Sequence, residues 1–478
     1  MSYTNLLNNY PIFAILQKIA DQHHIPTYVV GGFVRDILLK RKVKDIDIVC
    51  VGDGIQFAQA FAQKVNAKVS VFKNFGTAMV AWQDLEIEFV GARKESYTPN
   101  SRKPEVTQGS LTDDLRRRDF TINALAISLN QEKFGTLIDL FQGLEDLKAK
   151  IIRTPLEPHR TFSDDPLRML RAIRFASQLH FTITPQLKHA ITTEANRLSI
   201  ISKERIHTEL NKILLSPKPA EGMQLLDQTK LLPLILPEME KLKGTDRIGI
   251  HTHKDNFKHT LQVLKNVSLT SENLWLRWAA LLHDIAKPQT KRFNPNTGFS
   301  FHGHEELGSR MVPRIFKRMH LPLNEKMRYV KKLVKLHLRP IALSKEVTDS
   351  AVRRLIYEAG DTLDDLMKLC KADITSKNEK KVHTYLHNLQ QVEAKIKQVQ
   401  KHDEIVNLQP VIDGHIIMKT YALKPSKQVG IIRKSLKEAL IDGSVANTHS
   451  ALYAYMLEIG KAQGLLPIEQ VNTHLPNK

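Results

Sequence analysis

The period of the hydrophobic pattern changes once along this chain, and that change limits the folds open to it. Up to about Leu140, apolar residues recur in short strand-like runs: Thr27-Tyr-Val-Val30, Asp45-Ile-Asp-Ile-Val-Cys-Val51, Val69 to Phe72, Thr77 to Trp82 and Leu85 to Val90. Turn-like Gln83-Asp84 separates the last two. The polar stretch Ser96 to Gly109 holds two prolines and reads as a mobile loop. After about Glu145 helical spacing takes over, with Pro155 and Pro158 at the change and Leu231 to Pro237 at a further joint. A unit rich in His and Lys begins near His251. Leu386, Leu389, Ile396 and Val399 then recur at helical spacing, before Pro410 and Pro425 break a last helical region. The pattern describes an α/β head followed by a long, mostly helical body, and 478 residues suffice for roughly three domains.

Composition narrows the partners. The chain has 70 Lys+Arg against 50 Asp+Glu, and a formal charge of +20 favours a polyanion, either nucleic acid or an acidic membrane surface. An aromatic content of 6% argues against a binder that works by stacking single strands. Two cysteines, Cys50 and Cys370, exclude a disulfide framework and any four-cysteine zinc site. Met1 to Tyr10 lacks the pattern of a signal peptide, and no run approaches the ~18 apolar residues of a membrane span. The expectation is a soluble protein of the cytoplasm, with no membrane partner.

In the strand following Lys44, alternation puts Asp45 and Asp47 on one face, about 7 Å apart, and Ile46 and Ile48 on the other. Paired carboxylates suit Mg2+, which takes hard oxygen ligands and keeps positions for phosphate oxygens. A lone Asp-x-Asp more often marks a solvated strand face, so its surroundings decide. Upstream, Gly31-Gly32 lies between a strand and an expected helix Phe33 to Lys40, where backbone amides can hold a triphosphate, with Arg35 one turn in. Downstream, Glu86-Ile-Glu88 offers a third acid on a neighbouring strand. Gly52-Asp53-Gly54 imitates a dinucleotide fingerprint but fails it, because Phe57 stands at the third glycine position.

Four ordered motifs then carry a resemblance. Gly-Gly-Phe-Val-Arg-Asp36, Asp45-Ile-Asp47, Arg117-Arg-Asp-Phe-Thr-Ile-Asn-Ala124 and Asp164-Asp-Pro-Leu-Arg-Met-Leu-Arg-Ala-Ile-Arg-Phe175 together resemble class II tRNA nucleotidyltransferases. This is the CCA-adding family, which shares its head with bacterial poly(A) polymerases. The resemblance covers about residues 25–240. It implies an α+β fold: a polymerase-beta-like nucleotidyltransferase head with a mixed sheet over residues 1–145, a helical neck over 146–245, an HD domain over 246–385 and a helical tail over 386–478. It implies that Asp45 and Asp47, with Glu88, hold catalytic Mg2+. Gly31, Gly32, Arg35 and Arg118 match triphosphate contacts, and Asp119 and Asn123 match positions near the ribose. Asp164 stands where Glu is commoner. Ile200-Ile-Ser-Lys-Glu-Arg-Ile206 with Glu209 resembles the neck helix that supports the nucleotide helix.

Asp165 and Arg168 stand three apart on a helix that Pro166 helps to start, which predicts a shared face. A carboxylate only accepts and a guanidinium only donates. Cytosine and adenine each present an amine donor beside a ring-nitrogen acceptor and fit such a pair; guanine and uracil present the reverse. Taken alone, the pair is an ordinary i,i+3 salt bridge. The resemblance assigns it to base recognition, with Arg171 and Arg174 on the same basic face.

The helix Leu274 to Lys287 ends in His283-Asp284, which resembles the HD phosphohydrolase signature, with His259 and Asp373 at the matching positions. Imidazole and carboxylate together suit a divalent metal of unidentified kind with open positions for water and phosphate. His304 and His337 could make the site dinuclear, or could be ordinary histidines. The resemblance implies phosphatase or cyclic-phosphodiesterase activity toward terminal or 2′,3′-cyclic phosphates.

These readings converge on template-independent addition of CCA to tRNA from CTP and ATP, with the Lys-rich helices holding tRNA by its phosphates. Open alternatives are a poly(A) polymerase, an enzyme adding only CC or only A, and an HD phosphohydrolase whose head merely binds nucleotide or RNA.

Overall fold

The computed structural model describes residues 2–43, 45–73, 76–96, 105–249, 251–252, 255–343, 348–376, 378–402 and 409–468. These fall into two compact units, Met1–Lys241 with Arg318–Leu321, and Leu242–Lys317 with Pro322–Lys478.

The first unit is built on a seven-stranded mixed sheet in the order β3-β4-β5-β2-β1-β8-β9. Its strands are β1 (Thr27–Val30), β2 (Asp45–Cys50), β3 (Val69–Phe72), β4 (Thr77–Trp82), β5 (Leu85–Gly91), β8 (Leu125–Ser128) and β9 (Leu137–Asp139). β2 and β5 run parallel and place Asp47 opposite Glu88; the other neighbours are antiparallel. Because side chains alternate, Ile46, Ile48, Ile87 and Phe89 share the opposite face from the acids and are fully buried. Phe57 and Phe61 cover that face with ring centroids 6.0 and 5.4 Å from Phe89, each contributing about 1.5–3 kcal/mol by burial.

β6 (Arg93–Ser96) and β7 (Glu105–Gln108) pair antiparallel, which corrects the expectation of a loop from Ser96 to Gly109. Only residues 97–104 of that stretch lie outside the described residues. Polar composition hid the strands, since neither carries an apolar run. β8 escaped notice for the opposite reason: all four of its residues are buried, so no alternation marks it.

Five helices position the site: α1 (Gly32–Leu38), α2 (Gly54–Lys64), α3 (Leu111–Arg116), α4 (Leu167–Leu179) and α5 (Lys203–Leu214). The failed fingerprint is explained at α2. Asp53 caps it, accepting from the amides of Ile55 and Gln56 at 2.8 and 3.1 Å. A Cβ at Gly54 would come within 2.5 Å of the Gly91 nitrogen, so glycine there serves close helix–strand packing.

The second unit is helical: α6 (Asn256–Ser268), α7 (Leu274–Leu282), α8 (His304–Arg318), α9 (Glu325–Leu336), α10 (Leu363–Asp373) and α11 (Glu379–His402), then α12 (Gly414–Tyr421), α13 (Lys427–Asp442) and α14 (His449–Ala462). Trp278, Leu281 and Leu282 of α7 are fully buried, which fixes the end of that helix inside the unit. Leu389, Ile396 and Val399 are buried on α11, and Ile417, Ile432, Leu436, Leu452 and Met456 form the core of the last three helices. No described helix is long and apolar enough to cross a membrane.

Candidate active site and metal centre

Asp45 opens β2 and is exposed, and Asp47 lies two residues further in, half-buried. Burial pushes the Asp47 carboxyl above its ordinary range; Arg118 opposes this, while Asp45 and Asp114 reinforce it. Glu88 is raised as well, first by desolvation and then by the Asp47 charge. Carboxylates gathered where burial disfavours their charge want a cation, and hard oxygen donors with room around them suit Mg2+. Glycine at 31 keeps that room: its φ is +71°, and a Cβ would lie 2.7 Å from Arg118 Nη1 and 3.0 Å from Asp47 Oδ2.

Two cavities meet along this edge. One, of about 330 Å³, is lined by Asp47 and Glu88 together with Asp165 and Arg168. The second, of about 480 Å³, is lined by Gly31, Gly32, Arg35, Asn123 and Arg174, together with Asp45. Asp47, Arg118, Asp119 and Arg171 border both. The expected head residues are thereby gathered around one cleft. One expectation needs correction: the Gly31 amide is taken by the Leu125 carbonyl at 3.2 Å, so the glycine pair does not offer both amides to a phosphate.

The arginines are held by a buried polar network. Arg35 donates to both Asp36 oxygens at 2.9 and 2.7 Å and to Asn123 Oδ1 at 2.7 Å. Asn123 Nδ2 donates to Asp119 Oδ1 at 2.9 Å, and Arg171 Nε donates to Asp119 Oδ2 at 2.7 Å. Burial alone would raise the Asp119 carboxyl, but Arg171, Asn123 and Arg168 outweigh it and hold it down at about 2. Arg174 pairs with Glu209 at 2.9 Å. Arg117 and Arg118 both bind Asp114, whose side chain is fully buried. The run Asp113 to Asp119 is therefore not a solvated stretch. Asp114 was missed as a site residue, although its spacing to Arg117 and Arg118 is the i,i+3 and i,i+4 pairing signal.

Asp165 and Arg168 do not share a helix face, which corrects the sequence expectation. Asp165 is extended (φ −142°, ψ 102°) and sits before α4, accepting from the Leu167 amide at 3.1 Å. Its carboxylate pairs with Arg205 of α5 at 3.1 Å, a partner the sequence did not suggest. Arg168 Nη2 donates to the Arg117 carbonyl at 2.6 Å. The two groups are thus held from different directions, both bordering the smaller cavity, rather than spent on one another.

In the second unit, His259, His283 and Asp373 form one cluster and Asp284, His304 and His337 another. Asp284 joins them: Oδ2 lies 3.2 Å from His283 Nε2, and Oδ1 lies 3.2 Å from His304 Nε2. Asp373 Oδ1 is 2.9 Å from His259 Nε2, and His304 and His337 approach through Nε2 at 3.4 Å. The other ring nitrogens are engaged. His283, His304 and His337 each donate from Nδ1 to a backbone carbonyl, of Ala280, Phe301 and Val334, at 2.9, 2.7 and 2.7 Å. That fixes the tautomer and leaves Nε2 lone pairs pointing inward, as metal-ligating histidines require. His259 Nδ1 meets Thr375 Oγ1 at 2.7 Å. Asp284 Oδ1 is buried with no hydrogen-bond partner. Imidazole nitrogens and carboxylate oxygens converging in this way fit a divalent cation, with Lys287 Nζ paired to Asp284 Oδ2 at 2.6 Å beside them, and the six residues suffice for two. The carboxylates attract positive charge here: burial disfavours the charged form of His283, yet Asp284 and Asp373 push it up to about 10, and a bound cation would take the place of the Nε2 proton. A cavity of about 410 Å³ reaches this centre past Lys287, Phe301 and Tyr385.

Similar proteins point the same way. Residues 27–153 match the poly(A) polymerase head domain, 180–243 an RNA and SrmB-binding region of polymerase A, 256–377 the HD domain and 317–456 the tRNA nucleotidyltransferase domain 2. The A-adding tRNA nucleotidyltransferase of Deinococcus radiodurans is 34% identical over 438 residues, covering 88% of this chain and 93% of that protein. The chain belongs to the class II tRNA nucleotidyltransferase family. The CCA-adding enzyme of Bacillus subtilis is 38% identical over 240 residues, 49% of this chain and 57% of that one. A solved tRNA nucleotidyltransferase bound to a primer tRNA and an incoming ATP analogue superposes with a TM-score of 0.58 at 27% identity, covering 79% of this chain and 99% of that one. The family's α+β head, helical remainder and HD domain are all present here.

Proposed function

We propose that this chain adds CCA to the 3′ end of tRNA, taking CTP and ATP without a nucleic-acid template and releasing pyrophosphate. The observation that carries the reading is the cleft itself: acids of β2 and β5 line one cavity with Asp165 and Arg168, and that cavity shares Asp47, Arg118, Asp119 and Arg171 with an arginine-lined lobe. Asp45 and Asp47, with Glu88, would hold Mg2+, which would supply charge stabilisation and a more acidic ribose hydroxyl. Arg35, Arg118, Arg171 and Arg174 receive the triphosphate, in a pocket where charge-assisted hydrogen bonds are strong. Asp165 accepts from the exocyclic amine of cytosine or adenine, and Arg168 donates to the adjacent ring nitrogen. The tRNA 3′-oxygen then bonds to the α-phosphorus, and the bond to pyrophosphate breaks. The HD centre is a metal-dependent phosphohydrolase for terminal or 2′,3′-cyclic phosphates, and the Lys-rich helices hold tRNA. Acting on tRNA, the enzyme works in the cytoplasm.

A second reading, addition of only A or only CC, is favoured by one observation: two relatives matched along 88% and 89% of the chain are an A-adding and a CC-adding enzyme. Replacing Asp45 and Asp47 together by Ala tests the catalytic assignment. Incorporation should vanish while tRNA binding persists; retained incorporation refutes it.

A further inference from the structure

One buried ring stands among the arginines assigned to the triphosphate. Phe175 lies on α4, 4% exposed, and borders the larger cavity. The guanidinium carbons of Arg174, Arg35 and Arg171 stand 4.2, 4.9 and 5.5 Å from its centroid. Phe120 supports it edge-on at 5.7 Å. Cation–π contacts of significant energy occur about once per 70–80 residues in folded chains. Three on one ring, from three cations of one pocket, is a concentration that ordinary packing does not require.

The chemistry of the pocket explains what such a ring supplies. Three guanidinium groups gathered in a partly dry cavity repel one another. Each already has one carboxylate partner: Asp36 for Arg35, Asp119 for Arg171 and Glu209 for Arg174. Further carboxylates would hold the arginines more firmly, but they would cancel the positive field that a triphosphate needs. An aromatic face attracts cations through its quadrupole while carrying no net charge. We propose that Phe175 is a positioning residue for nucleotide binding, gathering Arg35, Arg171 and Arg174 around its ring so that they stay close together yet remain attractive to a triphosphate. The inference rests on the reading of this lobe as the triphosphate site.

The test uses the full chain with Phe175 replaced by mono-, di- and trifluorinated phenylalanine, which keeps the ring's shape while emptying its face of negative potential. Affinity for CTP and for ATP is measured by titration and KM by incorporation, with melting temperature followed in parallel. The expected result is a graded rise in Kd and KM with each added fluorine, reaching roughly tenfold, at nearly constant kcat. Phe175→Leu, which lacks a ring, should fall at or beyond the trifluoro end, and Phe175→Trp should recover binding. If the unmodified chain binds CTP and ATP while the fluorinated series binds them equally well, Phe175 is only a packing residue and the inference falls alone. If the unmodified chain binds neither nucleotide, the triphosphate reading falls and takes the inference with it.

Discussion

Asp119→Asn removes a charge at the centre of the head network while keeping the side chain's shape. Asp119 is 6% exposed and accepts from Arg171, Asn123 and the Phe120 amide. Its carboxyl is held at about 2 against an ordinary 3.8, which corresponds to roughly 2–3 kcal/mol in favour of the charged, folded form. Arg171 is one-third exposed and keeps some water, so we expect a loss of about 2 kcal/mol. The sign follows from linkage: a depressed acid stabilises the fold above its unfolded pKa and ceases to do so as pH falls through its folded one. The variant should therefore be less stable at pH 7, with the difference closing between pH 4 and pH 2. Because the chain has two compact units, a single melting curve mixes transitions. Hydrogen exchange of peptides from residues 111–128, followed against urea, isolates the right one. A difference below about 0.5 kcal/mol at pH 7 would refute the claim that this pair anchors the site.

Other perturbations address the remaining parts. Gly31→Ala should abolish incorporation with tRNA binding intact, because its Cβ falls at 2.7 Å from Arg118 Nη1 and at a φ of +71°; normal turnover would show that the glycine is dispensable. Arg168→Ala should relax the choice of CTP and ATP over UTP and GTP by about 1–3 kcal/mol, read from competing kcat/KM values, and unchanged discrimination would place selection elsewhere. Asp284→Asn should lower bound divalent metal in elemental analysis while CTP incorporation by the head persists; full metal content would show that Asp284 does not join the two clusters.

Much of the head was legible because strand alternation and helix starts are local. β1 to β5 read directly from the sequence, and their register then placed Glu88 beside Asp47. What stayed hidden depends on long-range contacts. Arg205 reaches Asp165 across 40 positions, and Arg171 reaches Asp119 across 52, so no local spacing announces either. Asp165 misled for a local reason: a residue just before a helix has the i,i+3 spacing of one inside it but not the geometry. The histidines of the HD centre could be named but not joined, since it is the carbonyls behind His283, His304 and His337 that turn Nε2 inward. Phe175 closes the fourth motif, but of the three cations around its ring Arg35 comes from 140 positions away, which no local spacing announces.

The account stands or falls most directly on the products formed from a tRNA that ends before its CCA. Incubated with the unmodified chain, CTP and ATP, such a tRNA should acquire C, C and A in that order and then stop, as read by sequencing of its 3′ ends. A long adenylate tail, or no extension at all, would contradict it.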